Sequence, residues 1–308
     1  MKLQLIVNPR AGSGRAAQRL PQIERALASH GIEYEKSLTQ GPGDATRLAR
    51  EAASRGVDTI AAVGGDGTIN EIAQAYLDGD GNPIAGPSLA LIPAGTGGDF
   101  RKSFGLADDV HSAVARMHGA EPRPLDLGIV DVTTSTGQNR RCAFINVMSF
   151  GMGGLVDRLV DTGPKWLGGR AAFLLGSVRA ALSYRNTPVH VRIDGTSYVQ
   201  TPIFNVAVCN GRYFGGGMKV APNADPHDGL FDVVAMCDLT RAQGIALAHR
   251  IYKGSHIGQR EIDVARGRVV EAAPLRRQDE VLIDLDGEMP GKLPLTARVV
   301  PGALRIRA

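Results

Sequence analysis

Short apolar runs alternate with amphipathic stretches through the first third of the chain. Leu3 to Val7 reads as a strand buried on both faces. Leu20, Ile23 and Leu27 then recur at helical spacing, which predicts a helix from about Arg15 to Ser29, with Gly31 just past its end. A second strand near Ile32 to Leu38 leads through Thr39-Gln40-Gly41-Pro42-Gly43 to a helix over Asp44 to Arg55. The third strand, Thr59 to Val63, runs into Gly64-Gly65-Asp66-Gly67, and a helix follows at once. Thr68 and Glu71 have capping-box spacing, so Thr68 is the expected N-cap. A fourth strand, Leu89 to Ile92, enters Pro93-Ala94-Gly95-Thr96-Gly97-Gly98-Asp99, and Phe100 opens another helical stretch. This order predicts an α/β, doubly wound, mostly parallel sheet.

The period changes after about Leu127. Gly128 to Val132 and Cys142 to Met148 read as strands, and residues 150–185 hold a helical insert. Short alternating runs follow: Val189 to Ile193, Ile203 to Cys209, Leu230 to Met236, Ile262 to Val264, Arg268 to Glu271, Val281 to Leu285, Leu295 to Val300 and Ala303 to Arg307. A helix over Arg241 to Tyr252 interrupts them. Many short strands with turns between them predict an antiparallel sandwich or barrel. The expected organisation is therefore an α/β domain over 1–127 and a β-rich domain over 128–308.

Composition narrows the class of protein. With 308 residues, two domains are the natural expectation, and 43% hydrophobic with 21% charged residues is the balance of a soluble globular chain. A net charge of +4 suits a phosphorylated ligand or an anionic surface but does not point to nucleic acid. Cys142, Cys209 and Cys237 lie far apart and read as reduced core thiols, which favours a cytoplasmic protein. The first residues, MKLQLIVNPR, carry no hydrophobic region of signal-peptide length. The most apolar stretch, Trp166 to Ser183, is interrupted by Arg170 and Arg179 and cannot span a bilayer.

Candidate chemistry clusters at the strand ends. Asn8 to Gly14, Gly64 to Thr68 and Gly95 to Asp99 each follow a strand and open a helix. In a parallel sheet their carboxyl ends share one edge, where nucleotides bind. The pattern GxxxxGK[ST] is absent, which excludes a P-loop. Gly12-Ser13-Gly14-Arg15-Ala16-Ala17 matches the dinucleotide pattern, with Glu33 or Glu35 at the right remove, so an NAD(P) dehydrogenase is a rival reading. The gap from strand end to Gly12 makes that turn loose. In the second half, Asp225, Asp228 and Asp232 crowd one turn and could hold a hard cation. Asp284 and Asp286 fall on one face of a strand, and Asp286 and Glu288 flank a turn. A general base for a hydroxyl, tuned by a carboxylate neighbour, is the functional reading. No HExxH or GxSxG occurs, so neither a zinc site nor a hydrolase elbow is supported.

In sequence, Val7-Asn8-Pro9 with Gly12 and Gly14, Gly64 to Glu71, and Pro93-Ala94-Gly95-Thr96 with Asp99-Phe100 resemble the diacylglycerol kinase catalytic domain. The similarity is greatest to the bacterial soluble lipid kinases, relatives of the sphingosine and ceramide kinases. It continues through Asn146, Gly151, Gly153, Asn210-Gly211, Gly215 to Gly217, Ala221-Pro222, Asp228-Gly229, Asp286-Gly287-Glu288 and Pro294. The resemblance implies ATP in a cleft between the α/β domain and a β-rich lipid-binding domain. It implies nucleotide contacts from Asn8, Thr39, Thr96 and the loop Gly64, Gly65, Asp66, Gly67, Thr68, Ile69 and Asn70. Asp286 would be the general base with Glu288 beside it, and Asp66 would contact magnesium–ATP. Asp225, Asp228 and the carbonyl of Leu230 would hold Mg2+. A lipid substrate and peripheral membrane contact are the implied partners, a homodimer is compatible, and nucleic acid is not expected. The segment Trp166 to Tyr184 would line the lipid entrance. One departure stands out: the family usually carries Asn where this chain has Gly98. GGDGT is shared with NAD kinases, which leaves an NAD kinase-like enzyme as a second rival.

Overall fold

The computed structural model describes residues 1–308 apart from 96–97, 135, 162–175, 177–178 and 181–182. Strands β1 (Leu3–Val7), β2 (Tyr34–Leu38), β3 (Thr59–Gly64) and β4 (Ser88–Pro93) pair in parallel in the order β2-β1-β3-β4. Helices α1 (Arg15–Ser29), α2 (Asp44–Ser54), α3 (Asp66–Ala73), α4 (Asp99–Ser103) and α5 (Val110–Gly119) connect and flank them. The sheet is buried on both faces because its side chains alternate between two cores. Ile6, Ile60 and Ala62 join one cluster, whereas Leu5, Val7, Ala61 and Val63 join the other. This is the doubly wound arrangement the period predicts.

The second half is β-rich: β5 (Arg123–Thr133), β6 (Asn139–Phe144), β7 (Val147–Gly151), β8 (Thr187–Ile193), β9 (Thr196–Cys209), β10 (Phe231–Cys237), β11 (Ile262–Gly267), β12 (Val269–Pro274), β13 (Leu282–Leu285) and β14 (Glu288–Arg307). Helices α6 (Met152–Asp161) and α7 (Arg241–Lys253) interrupt it. Strands β7, β9, β8, β12, β14 and β13 pair antiparallel in a circuit that closes from β13 back onto β7. Phe144, Phe150, Phe231 and aliphatic side chains of these strands fill its core, with Phe144 stacked on Phe231 at 5.3 Å between centroids.

Three expected strands are arranged differently. Leu295 to Val300 and Ala303 to Arg307 form one strand rather than two. The intervening Pro301-Gly302 is absorbed as a register shift against β5 between Val300 and Leu304. Conversely, Cys142 to Met148 divides into β6 and β7 with a break at Ile145 and Asn146. At its far end β14 returns to the first sheet, where Ile306 and Arg307 pair in parallel with Leu89 and Ala90 of β4. Cys142 and Cys209 are buried free thiols, and Cys237 is a partly buried one.

Candidate active site

The ends of β1, β3 and β4 bring the three glycine loops into backbone contact. Asn8 N donates to Val63 O at 3.0 Å, and Ala94 N and Gly95 N both donate to Gly64 O. A Cβ on Gly95 would stand 2.4 Å from Gly65 Cα, and one on Gly12 would stand 2.6 Å from Ala94 O. Side chains are excluded there because main chain meets main chain. Thr39, after β2, is tied to the same edge by its N–H to Val7 O. Thr96 lies outside the described residues.

The helix that follows the central loop starts earlier than the capping box predicts. Gly65 is its N-cap, with no side-chain cap, and α3 begins at Asp66. Thr68 is therefore inside the first turn, and its Oγ1 accepts from Asn8 Nδ2 at 3.2 Å. Glu71 serves α2 instead: its Oε2 accepts from Ala45 N and its carbonyl from Thr46 Oγ1. The extended backbone of Gly65 permits the early start, and it frees Asp66 to turn away from its own helix.

Asp66 accepts from Asp99 N at 2.9 Å and from Phe100 N at 3.1 Å, so it caps α4 from another loop. Burial raises its pKa, and the Asp99 carboxylate adds to the rise. Asp99 in turn accepts from Lys102 Nζ and from Gly216 N of the β-rich half. Gly98 takes φ +63°, the left-handed region. Glycine takes that region without a steric penalty, so Gly98 meets the backbone demand of this loop.

Asp286 is in the turn, not on the strand face beside Asp284. Leu285 pairs with Glu288, so Asp286-Gly287 is a two-residue hairpin loop. Their φ values, +52° and +91°, are those of a type I′ turn, which Asp-Gly suits. The carboxylate points into the break between β6 and β7. Oδ2 accepts from Asn70 Nδ2 at 2.9 Å and Ile145 N at 2.8 Å; Oδ1 accepts from Val147 N at 2.8 Å and Asn146 N at 3.2 Å. The continuous strand expected over this stretch could not aim successive N–H groups at one side chain. Burial pushes the Asp286 pKa up to about 6; the donors oppose the rise and the Asp284 carboxylate adds to it. Asp284 itself is buried, accepting from Ser149 Oγ and Gly287 N. Glu288 is exposed on the far side of the turn.

The residues expected to hold magnesium are committed elsewhere. Asp225 Oδ1 accepts from His227 N, and Asp228 Oδ1 from Leu230 N. Asp228 Oδ2 and Asp232 Oδ2 both take the Arg266 guanidinium. Among the described residues no group of three His, Cys, Asp or Glu side chains could hold a metal. As arranged, the Arg266 guanidinium takes one oxygen of Asp228, so a cation held by Asp225, Asp228 and the Leu230 carbonyl would compete with it. The turn is instead tied to Asp126, whose carboxylate accepts from Gly229 N and Gly302 N.

One participant carried no local signal. Gln74 looks like any exposed helix residue, yet it hydrogen-bonds Ala143 across 69 positions. Asn146 and Asn210, which the resemblance includes, are buried amides whose partners are backbone groups distant in sequence. The segment expected at the lipid entrance lies mostly outside the described residues; Tyr184, at its end, donates to Ile203 O. Among the described residues no helix is long and apolar enough to cross a membrane.

Comparison with known proteins places this arrangement. Residues 2–130 match the diacylglycerol kinase catalytic domain, and residues 146–308 match the YegS C-terminal NAD kinase beta sandwich-like domain. The chain is 31% identical over 298 residues to the diacylglycerol kinase of Bacillus subtilis (strain 168), covering 95% of this chain and 91% of that protein. It is 32% identical over 280 residues to a "Probable lipid kinase YegS-like" protein of Stenotrophomonas maltophilia (strain K279a), covering 90% and 87%. A crystal structure of a diacylglycerol kinase from Bacillus anthracis str. Sterne superposes with a TM-score of 0.70 at 23% identity, covering 99% of this chain and 96% of that one, and speaks for the fold alone.

Proposed function

The chain belongs to the diacylglycerol kinase and YegS-like family of lipid kinases, and on that premise we propose that it transfers the γ-phosphoryl group of ATP to a lipid hydroxyl, with Asp286 as general base. One observation carries the reading. Asp286, on a turn of the β-rich half, is hydrogen-bonded to Asn70 of α3, the helix that leaves the central glycine loop. A base for the acceptor thus stands against the element that would hold the donor.

In the proposed step the lipid hydroxyl gives its proton to Asp286 while its oxygen attacks the γ-phosphorus. The bond from that phosphorus to the bridging oxygen breaks, and ADP leaves. The four N–H donors on Asp286 fill the lone pairs a carboxylate offers. Three of these donors are backbone groups and fixed, so the acceptor hydroxyl enters where Asn70 Nδ2 sits. Asn8, Thr39, the Gly64 to Asn70 loop and Thr96 bind the phosphates and ribose. Free N–H groups at the start of α3 favour negative charge there. Magnesium enters as part of the nucleotide substrate. The pKa of about 6 suits the base: it is ionised at neutral pH yet more basic than an ordinary carboxylate.

The substrate class is a lipid with an accessible hydroxyl, diacylglycerol first among them, and the reaction is placed at the cytoplasmic membrane surface. The test is transfer of label from γ-labelled ATP with magnesium to a panel of lipids in mixed micelles. Label in one lipid class supports the reading. Label in NAD, with none in any lipid, overturns it in favour of an NAD kinase.

A further inference from the structure

Gln74 closes α3 and opens the short 3-10 turn Gln74–Tyr76. Its side chain does what a neighbouring strand would do. Oε1 accepts from Ala143 N at 2.9 Å, and Nε2 donates to Ala143 O at 2.7 Å. Ala143 belongs to β6, which pairs with β5 alone among the described strands and so presents an open edge here. The two backbone partners leave no ambiguity about the amide: N–H only donates and C=O only accepts, so Nε2 must face Ala143 O. That orientation propagates. Nε2 also reaches Asn70 Oδ1 and Asn70 O, each at 3.3 Å. With its oxygen turned to Gln74, Asn70 must present Nδ2 to Asp286 Oδ2. Asn70 is buried, which leaves its amide little else to bond.

We propose that Gln74 is a positioning residue for Asp286 in the free enzyme: by docking on Ala143 it fixes the Asn70 amide so that its N–H faces the carboxylate until the acceptor hydroxyl replaces it, and it ties α3 to the strand break that supplies the other donors. The inference rests on the reading of Asp286 as the base. The groups acting on Asp286 are the Asn70 amide from α3, the Ile145, Asn146 and Val147 N–H groups from the break, and the Asp284 carboxylate from β13. Asp284 is the charged group among them, and it is unchanged by substitution at Gln74.

Two variants test this. Gln74→Glu keeps the acceptor for Ala143 N but cannot donate to Asn70. The Asn70 amide then flips toward Glu, and its oxygen meets Asp286. Gln74→Met keeps the shape and removes all four hydrogen bonds of the side chain. In full-length protein labelled with 13Cγ-aspartate, the Asp286 resonance is assigned by its loss in D286N and titrated by NMR. The pH profile of kcat/KM, which reports the free enzyme, is measured alongside. Asp286 is expected to titrate higher in Q74E by about one unit, because a donor to the charged form is lost and a second carboxylate is added nearby, and higher by less in Q74M, where only the donor effect acts. The acidic limb of kcat/KM moves with it while KM for ATP holds. Should Q74E not fold, Q74M alone decides. An Asp286 titration unmoved in folded variants overturns the inference and leaves Gln74 a docking residue only. A titration that moves while the kinetic limb stays overturns the base assignment instead, and leaves the coupling from Gln74 supported.

Discussion

At the scale of single residues, Asp286 is the proposed base. Its side chain carries the raised pKa of about 6, and its backbone takes φ +52°. Asn tolerates that conformation, so D286N isolates the loss of the base better than D286A does. The D286N variant should fold, with a modest fall in Tm because an NH2 now faces N–H donors, and should lose about 10²- to 10⁴-fold in kcat. The pH dependence has a definite sign. A base works ionised, so wild-type activity rises with pH through about 6 and is lost as the carboxyl protonates below it. A rate independent of pH between about 5 and 7 would remove Asp286 from that role. Asp286 stands out in the sequence as a carboxylate that flanks a turn, and the resemblance names it as the base. Its environment was not legible there. The donors come from Asn70, Ile145, Asn146 and Val147, and no local pattern announces that a run of apolar strand residues is broken to aim N–H groups at a carboxylate.

At the scale of elements, the glycine loops divide into those that packing demands and those that leave room. G95A should lower Tm sharply or prevent folding, because its Cβ would stand 2.4 Å from Gly65 Cα and main chain cannot yield. G67A meets nothing within 4 Å and lies in α3, so Tm should hold or rise, by up to ~1 kcal/mol of stability. If the loop cradles phosphate, the same variant raises KM for ATP. A G67A protein with an unchanged KM would place the phosphates elsewhere. The Asp228 turn makes a parallel case. Magnesium without nucleotide should leave the Tm of the wild-type protein unchanged, because Arg266 already neutralises Asp228 and Asp232. A saturable rise in Tm, abolished in D228N, would restore the turn as a cation site. Strands and helices of the first half followed directly from apolar spacing. The misplaced start of α3 did not, because Gly65 replaces a side-chain cap by geometry and Glu71 caps another helix.

At the scale of the whole molecule, two architectures share one continuous path of strands. β14 pairs with β13, β12 and β5 in the β-rich half and ends against β4 in the parallel sheet. The contact is small but buried: Ile306 is 1% exposed. I306A should cost about 2–5 kcal/mol, and a loss at the top of that range would mark the junction as part of the common core. The change of period near residue 128 was visible in the chain. The return of the last strand to the first sheet was not, since nothing in Ala303 to Arg307 distinguishes a β4 partner from any other strand. Asn70 and Gln74 donate to the second half, and Asp99 accepts from Gly216 N, which adds to the junction. These hydrogen bonds set the proposed base against the proposed nucleotide site. Single-turnover transfer of the γ-phosphoryl group from ATP to diacylglycerol, in wild-type and D286N protein of known ATP affinity, tests that arrangement most directly. Equal ATP binding and transfer at least ~100-fold slower in D286N are expected. Equal transfer rates in the two proteins would contradict that arrangement.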